Sequence, residues 1–71
     1  MRRYLIIIEK TKTGFGAYSP DLPGCVATGR TRGQTARRMR TAMAMHVEAM
    51  RADGEKLPPA VTKGEYVEVA A

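Results

Sequence analysis

The most reactive side chains in this 71-residue sequence are a single cysteine and a single histidine. Cys25 and His46 are far apart in the chain, and neither has a second thiol or imidazole beside it. A catalytic thiol needs a neighbouring base, and a structural zinc ion needs about four ligands of these kinds. We therefore interpret Cys25 as a packed small apolar residue and His46 as a hydrogen-bonded residue at the rim of the apolar stripe of a helix. The alternatives are a nucleophile or a metal ligand for Cys25 and a general base for His46.

The seven acidic residues offer another route to catalysis, through bound metal ions. A two-metal site requires several carboxylates around ions about 4 Å apart. Glu9 ends an apolar run, Glu48 lies late in a helical pattern, and Glu65 and Glu68 lie near the C-terminus. No set of carboxylates therefore converges on one strand. The sequence predicts no catalytic residue, no metal site and no cofactor, and hence a protein that is not an enzyme.

Basic residues are the third group that could do chemistry. Twelve lysines and arginines against seven acidic residues give a net charge of +5, which attracts polyanions. On a helical wheel Arg37, Arg40 and Arg51 share one flank, and these are the candidate nucleic-acid contacts. No aromatic residue is interleaved with them for base stacking. Weak nucleic-acid binding and a solvated helix face are therefore both open.

Three short strands precede the helix that carries these arginines. Residues 3–9 place apolar side chains on both faces of an extended segment, which predicts a buried strand at the centre of the sheet. A polar loop ending in Gly14 predicts a hairpin into a second strand at residues 15–19. A third strand is expected at about residues 25–29.

A helix and a last strand complete the predicted fold. Thr31 with Gln34 three residues later predicts a capping box at the helix start, and Gly54 predicts its end. An apolar stripe at helical spacing predicts the side that faces the sheet: Ala36, Met39, Met43, Val47 and Met50. Residues 65–69 predict a fourth strand parallel to the first. The expected class is α+β, in the order β-β-β-α-β, with one mixed four-stranded sheet and a single helix packed on one face.

The length allows one domain, residues 1–71, with a small core. No apolar run approaches the roughly 20 residues of a membrane span, and a lone cysteine favours a reducing compartment. We therefore expect a cytoplasmic protein. Open sheet edges and a small core favour a homo-oligomer, either a dimer or a tetramer.

The stretch PDLPG, between the second and third strands, is the most unusual local feature. Its prolines restrict φ to about −65°, Asp21 can bond the backbone of its own turn, and Gly24 permits a conformation closed to other residues. This rigid elbow either presents Asp21, Leu22 and Pro23 to a partner or is a stiff connector with Leu22 packed in the core. Met45, opposite the apolar stripe, is the other candidate partner contact.

The order of strand, elbow, strand and capped helix resembles the HicB-like antitoxin family. The resemblance is carried by FGAYSPDLPGC at residues 15–25, by Thr28-Gly29, and by Thr31 at the helix start. Weaker agreement extends from Tyr4 through the Asp53-Gly54 helix end to Pro58-Pro59. The resemblance therefore covers nearly the whole sequence.

This resemblance implies a truncated ribonuclease-H-like fold and a bacterial type II toxin-antitoxin system. Members of the family bind a small RNA-cleaving toxin, HicA, and cover its catalytic surface. Full-length members usually add a C-terminal DNA-binding domain; the sequence ends at Ala71, so we expect a short form that does not bind an operator. A basic nucleic-acid-binding protein and an orphan homo-oligomer are the alternative hypotheses.

Overall fold

Three strands and one helix make up the regular structure of the protein. The computed structural model describes residues 2–71, so Met1, the first residue of the expected domain, lies outside the described residues. The elements are β1 (Ile7–Lys10), β2 (Phe15–Tyr18), β3 (Val26–Gly29) and α1 (Arg32–Ala52). The strands form an antiparallel sheet in the order β1-β2-β3, and α1 packs mainly against β3 and β2. The α+β class and the order β-β-β-α are confirmed.

The first strand is shorter than predicted and lies at the edge of the sheet. It begins at Ile7 instead of residue 3, and β2 occupies the central position. Two hairpins in succession place their shared strand in the middle. A central first strand would need a second neighbour on its outer side, and no strand among residues 2–71 pairs there. Residues 3–6 therefore lack a ladder partner on either side.

The predicted fourth strand does not form in this structure, and the sheet is therefore antiparallel and three-stranded. Residues 65–69 have no regular secondary structure and are exposed. The preceding segment is held elsewhere: the carbonyl oxygen of Pro58 accepts hydrogen bonds from Arg2 Nη1 at 2.8 Å and Tyr4 Oη at 2.6 Å. A strand forms only where its backbone groups meet a partner edge, and this route carries the last residues past the sheet.

The predicted helix is confirmed, with caps at both ends. Thr31 Oγ1 accepts from the backbone N–H of Gln34 at 3.0 Å, and Gln34 Oε1 accepts from the N–H of Arg30 at 2.7 Å. The return bond of the capping box thus goes one residue earlier than expected. Gly54 has a φ of +71° and donates its N–H to the carbonyl of Arg51, which ends the helix.

The core lies between α1 and one face of the sheet. Its fully enclosed side chains come from β2, the elbow and the helix, with the predicted stripe packed around them: Ala17, Leu22, Cys25 and Met39, then Met43, Val47 and Met50. Ala36 is half-buried. Thr35 is completely buried, which the apolar pattern did not indicate; its hydroxyl donates to the carbonyl of Thr31 at 2.8 Å. A polar side chain is tolerated there because this bond satisfies it.

Candidate partner-binding site

The elbow PDLPG, residues 20–24, and Cys25 directly after it are held from inside the molecule by Leu22. Leu22 is completely buried, and its N–H donates to the carbonyl of Ser19 at 3.3 Å. Ser19 in turn donates its hydroxyl to the carbonyl of Leu5 at 2.7 Å. Gly24 has a φ of +91°, a conformation that other residues rarely adopt. The stiff-connector interpretation of Leu22 is therefore the one that the burial supports, and its side chain is not on the free surface.

Asp21 has a role that the sequence did not reveal. Its Oδ2 accepts from the N–H groups of Val61 at 2.9 Å and Thr62 at 2.7 Å, and its Oδ1 accepts from the Thr62 hydroxyl at 2.7 Å. The prediction that Asp21 bonds the backbone of its own turn is therefore wrong. A partner 40 residues away could not be identified from local spacing, because turn chemistry concerns only near neighbours.

The tether to residues 61–62 changes the acidity of Asp21. The N–H of Thr62, followed by the Thr62 hydroxyl and the N–H of Val61, holds the pKa of Asp21 below its ordinary value of 3.8. These donors favour the charged carboxylate. The tether is therefore complete above the ordinary pKa of the free carboxyl and is lost as the pH falls through the lowered value in the folded state.

We expect the Asp21→Ala variant to release residues 61–62 at neutral pH. In the wild-type protein the amide proton resonances of Val61 and Thr62 should shift only at a pH below 3.8, with one midpoint for both. In the variant both amides should resonate near their unfolded positions throughout. NMR titration measures this, with Glu9→Ala as the control because Glu9 is an exposed acid on β1. A wild-type midpoint above 3.8 would contradict the tether.

Pro23, in the elbow, and Met45, on α1, are both exposed. The elbow contacts α1 on either side of Met45 in sequence: Cys25 Sγ lies 3.7 Å from the carbonyl oxygen of Ala42, and a Cβ on Gly24 would lie 3.7 Å from His46 Cε1. Met45 itself is 68% exposed. The elbow thus packs against the part of α1 that includes Ala42 and His46. We call the exposed residues Pro23 and Met45, which adjoin this contact in sequence, the elbow surface.

Cys25 takes the place expected of a packing residue, whereas the hydrogen bond expected of His46 is not found among residues 2–71. Cys25 is buried, and burial raises the pKa of its thiol, which disfavours the reactive thiolate. His46 is half-buried beside Gly24. Among residues 2–71, no three side chains of the His, Cys, Asp and Glu types are grouped closely enough to hold a metal ion.

A second apolar surface, missed by the sequence patterns, covers the sheet face that points away from α1. Ile7, Tyr18 and Val26 pair across the three strands, so their side chains stand in one row. Val26 is 70% exposed and Tyr18 is partly exposed. The matching row on the other face, which includes Ala17, lies in the core. Each strand is short and carries both apolar and polar side chains. The pattern of alternation is therefore too brief to show from the sequence which face of the sheet is buried.

The candidate nucleic-acid contacts are only partly brought together. Arg40 and Arg51 line one groove of about 600 Å³, together with Arg2 and Arg3 of the N-terminal segment. Arg37 is not among the residues that line it. We call this space the arginine groove; its floor is apolar and includes Ile6, Met43 and Val47.

Tyr4 also lines the arginine groove, so an aromatic ring does lie beside the arginines. This differs from the expectation that no aromatic residue accompanies them. Its hydroxyl donates a hydrogen bond to the carbonyl of Pro58, and its ring is half-buried.

In the part of the chain that is described, no helix is both long enough and apolar enough to cross a membrane.

Comparison with known proteins identifies the family. The family model for the HicB-like antitoxin of bacterial toxin-antitoxin systems matches residues 4–70. The chain belongs to this family. The resemblance carried by the PDLPGC motif is thereby confirmed. This HicB-like antitoxin family member therefore has the elbow and the helix cap in the places that its motif led us to expect.

Individual relatives of this HicB-like chain differ in length from it. An uncharacterised 14.9 kDa protein of Haemophilus phage HP1 is 34% identical over 64 residues, covering 90% of this chain and 48% of that protein. A UPF0150 protein of Thermoplasma acidophilum is 30% identical over 57 residues, 79% of this chain and 83% of that one. The chain therefore spans about half the length of the phage relative.

A solved structure is similar in both sequence and fold. It is a chain of the structure titled HicA3 and HicB3 toxin-antitoxin complex, with a TM-score of 0.67 and 40% sequence identity. The match covers 78% of this chain and 64% of that chain. The β-β-β-α arrangement of the HicB-like chain is thus similar to that of a chain in a toxin-antitoxin assembly.

Proposed function

We propose that this chain is the antitoxin of a two-protein pair, which binds a small RNA-cleaving toxin of the HicA type and neutralises it. The observation that carries the proposal is the 40% identity and the TM-score of 0.67 to a chain of a toxin-antitoxin complex. The family match over residues 4–70 supports the same role. Neutralisation would be non-enzymatic and would act by covering the surface on which the toxin cleaves RNA. A single buried cysteine suits the reducing bacterial cytoplasm, where we place this activity.

The elbow surface is the part of the chain that we assign to toxin binding. It is rigid, because buried Leu22 anchors it and its two prolines limit its backbone freedom. A rigid surface loses little conformational entropy when it binds. Met45 adds an exposed, adaptable apolar side chain next to it. Asp21 would not contact the toxin directly but would keep the elbow and residues 61–62 together through its hydrogen bonds.

The size of the molecule is compatible with this arrangement. A standard protein interface buries roughly 800 Å² on each partner. The chain exposes 5992 Å² in all, so such a contact occupies a minor part of its surface. The arginine groove, on the side of α1 that faces the N-terminal segment, then stays outside the toxin contact.

Co-expression with the small protein encoded beside it tests the proposal. We expect a complex that can be purified through a tag on either protein, and we expect the antitoxin to restore growth that the neighbour alone arrests. A neighbour that neither binds the chain nor is neutralised by it would remove the antitoxin function.

The Met45→Asp variant is expected to weaken toxin binding at least tenfold, about 1.4 kcal/mol. An acidic side chain would replace an apolar one in the contact and lose its packing. The matched control is Val26→Asp, because Val26 is 70% exposed and Met45 is 68% exposed, but on different surfaces. Calorimetric titration of both variants with the toxin measures the effect. Weakening by Val26→Asp alone would move the contact to the open sheet face.

A further inference from the structure

The C-terminal residues 65–69, reading EYVEV and called the tail here, expose apolar side chains that resemble those of a strand. Tyr66, Val67 and Val69 are 103%, 73% and 77% exposed. Valine and tyrosine are among the residues most favoured in strands. In an extended segment Val67 and Val69 share one side, with Glu65 on that side and Glu68 opposite. The tail therefore has the composition of an amphipathic strand but lies in water.

The free edge of the sheet lies beside the arginine groove. No strand within residues 2–71 pairs with the outer side of β1, and residues 2–6 continue from β1 along the groove. Unpaired backbone N–H and C=O groups at such an edge can accept another strand. The groove combines an apolar floor with four guanidinium groups: Arg2, Arg3, Arg40 and Arg51. It thus offers apolar contacts and positive charge to an incoming segment.

The tail of the same chain leaves the molecule on the other side of the N-terminal segment. A Cβ on Gly64 would lie 3.5 Å from a methyl group of Leu5. Tyr4 and Ile6 line the groove, and Leu5, between them, does not. Gly64 thus contacts a side chain that does not line the groove, although Leu57, earlier in the same segment, does line it.

The dimensions of the chain agree with a tail that extends outward. The Cα radius of gyration is 13.8 Å, and the longest extent is 48 Å against 17 Å for the shortest. A compact chain of this length has a radius of gyration of about 11 Å. These dimensions are compatible with a tail outside the packed body, and the exposure of residues 65–69 leaves the tail open to a second molecule.

We propose that the tail of one chain binds in the arginine groove of a second copy and pairs with the free edge of its β1, and that the exchange is reciprocal. Val67 and Val69 would pack on the floor formed by Ile6, Met43 and Val47. Glu65, on the same side as the valines, would meet an arginine at one end of the floor. Glu68, on the opposite side, would lie at the open rim of the groove within reach of another arginine, so that opposite charges meet. A two-fold axis makes both contacts identical and closes the assembly as a dimer. Each sheet then gains the strand that it lacks alone.

A nucleic acid fits the same groove less well. Phosphates would contact only the arginines, and the apolar floor of Ile6, Met43 and Val47 would be left without a matching group. The tail matches both parts of the groove, with valines for the floor and glutamates for the rim. Five extended residues span roughly 16 Å, which suits a contact along one strand edge. The contact also covers an edge that would otherwise promote uncontrolled association.

Paired charge reversals test the exchange on the chain alone, independently of any toxin. We expect the wild-type protein to show twice the 7.8 kDa mass of one chain in light scattering. The tail variant Glu65→Arg/Glu68→Arg and the groove variant Arg40→Glu/Arg51→Glu should each halve that mass. An equimolar mixture of the two should recover the dimer, because the reversed tail of one meets the reversed groove of the other. Arg32→Glu/Arg37→Glu, with the same charge change outside the groove, should stay dimeric.

Several outcomes would overturn the proposal. One is a wild-type protein that is monomeric at its highest soluble concentration, and another is a mixture of the two variants that stays monomeric although both are folded by circular dichroism. RNA binding that is lost in the groove variant and kept in the tail variant, with no dimer formed, would assign the groove to nucleic acid instead. Loss of dimer in the groove variant alone would place a different part of the second copy there.

Discussion

Replacing Leu22 with aspartate is expected to abolish cooperative folding at 25 °C. Leu22 is completely buried and belongs to the small group of side chains that forms the centre of the core. Truncating such a leucine to alanine costs about 2–5 kcal/mol, and burying an unpaired carboxylate adds a further desolvation cost. A core of this size supplies only about 3–5 kcal/mol in total. The variant should therefore show no thermal transition in circular dichroism.

Two further substitutions make the Leu22 result specific. Leu22→Met nearly conserves volume and should cost less than about 1.5 kcal/mol in the free energy of unfolding by urea. Val26→Asp places the same charge at a position that is 70% exposed and should keep a clear transition. If Leu22→Asp melted at the wild-type temperature, the elbow would not be anchored in the core. Its side chain would then be available to a partner.

Replacing Gly14 with alanine is expected to lower the free energy of unfolding by roughly 3 kcal/mol, the upper end for overpacking. Gly14 is buried in the loop between β1 and β2. A Cβ there would overlap the carbonyl oxygen of Gly29 and lie 3.2 Å from its carbonyl carbon and 3.3 Å from Arg30 Cα. All three atoms belong to the backbone, so the end of β3 would have to move. Urea denaturation measures the loss.

Gly16 supplies the matched control for Gly14. A Cβ on Gly16 would lie 3.6 Å from Thr11 Cγ2 and 4.0 Å from the carbonyl oxygen of Ala27, which are ordinary contacts. Alanine there removes backbone freedom from the unfolded chain and should raise stability by about 0.4–1 kcal/mol. Equal free energies of unfolding for Gly14→Ala and Gly16→Ala would show that close approach to Gly29 does not constrain the hairpin.

The helix and the elbow show what local sequence can predict. Thr31 and Gln34 lie three residues apart, and their hydrogen bonds depend on that spacing alone. Gly24 and Gly54 both have positive φ, as turn and cap chemistry led us to expect. The motif that identifies the family lies in the same local segment, which is why it could be recognised before the fold was known.

The candidate site shows where local reasoning fails. Asp21 was expected to bond its own turn and instead holds Thr62, while Leu22 was expected either outside or inside and lies inside. Arg40 and Arg51 meet Arg2 and Arg3 in one groove, although Arg37 was expected to join them. Each of these outcomes depends on how segments distant in sequence lie against one another.

By itself the sequence determined the three strands before the helix, the helix and its caps, the stiff elbow and the family. These features follow from periodicity, turn residues and capping, which act within a few residues. Only the tertiary structure decided that β1 is an edge strand, that the last residues leave the sheet, and that four arginines surround one groove. The physical reason is that these results depend on contacts between backbone groups and side chains that are far apart in the chain. Periodicity describes only neighbouring residues and cannot predict such contacts.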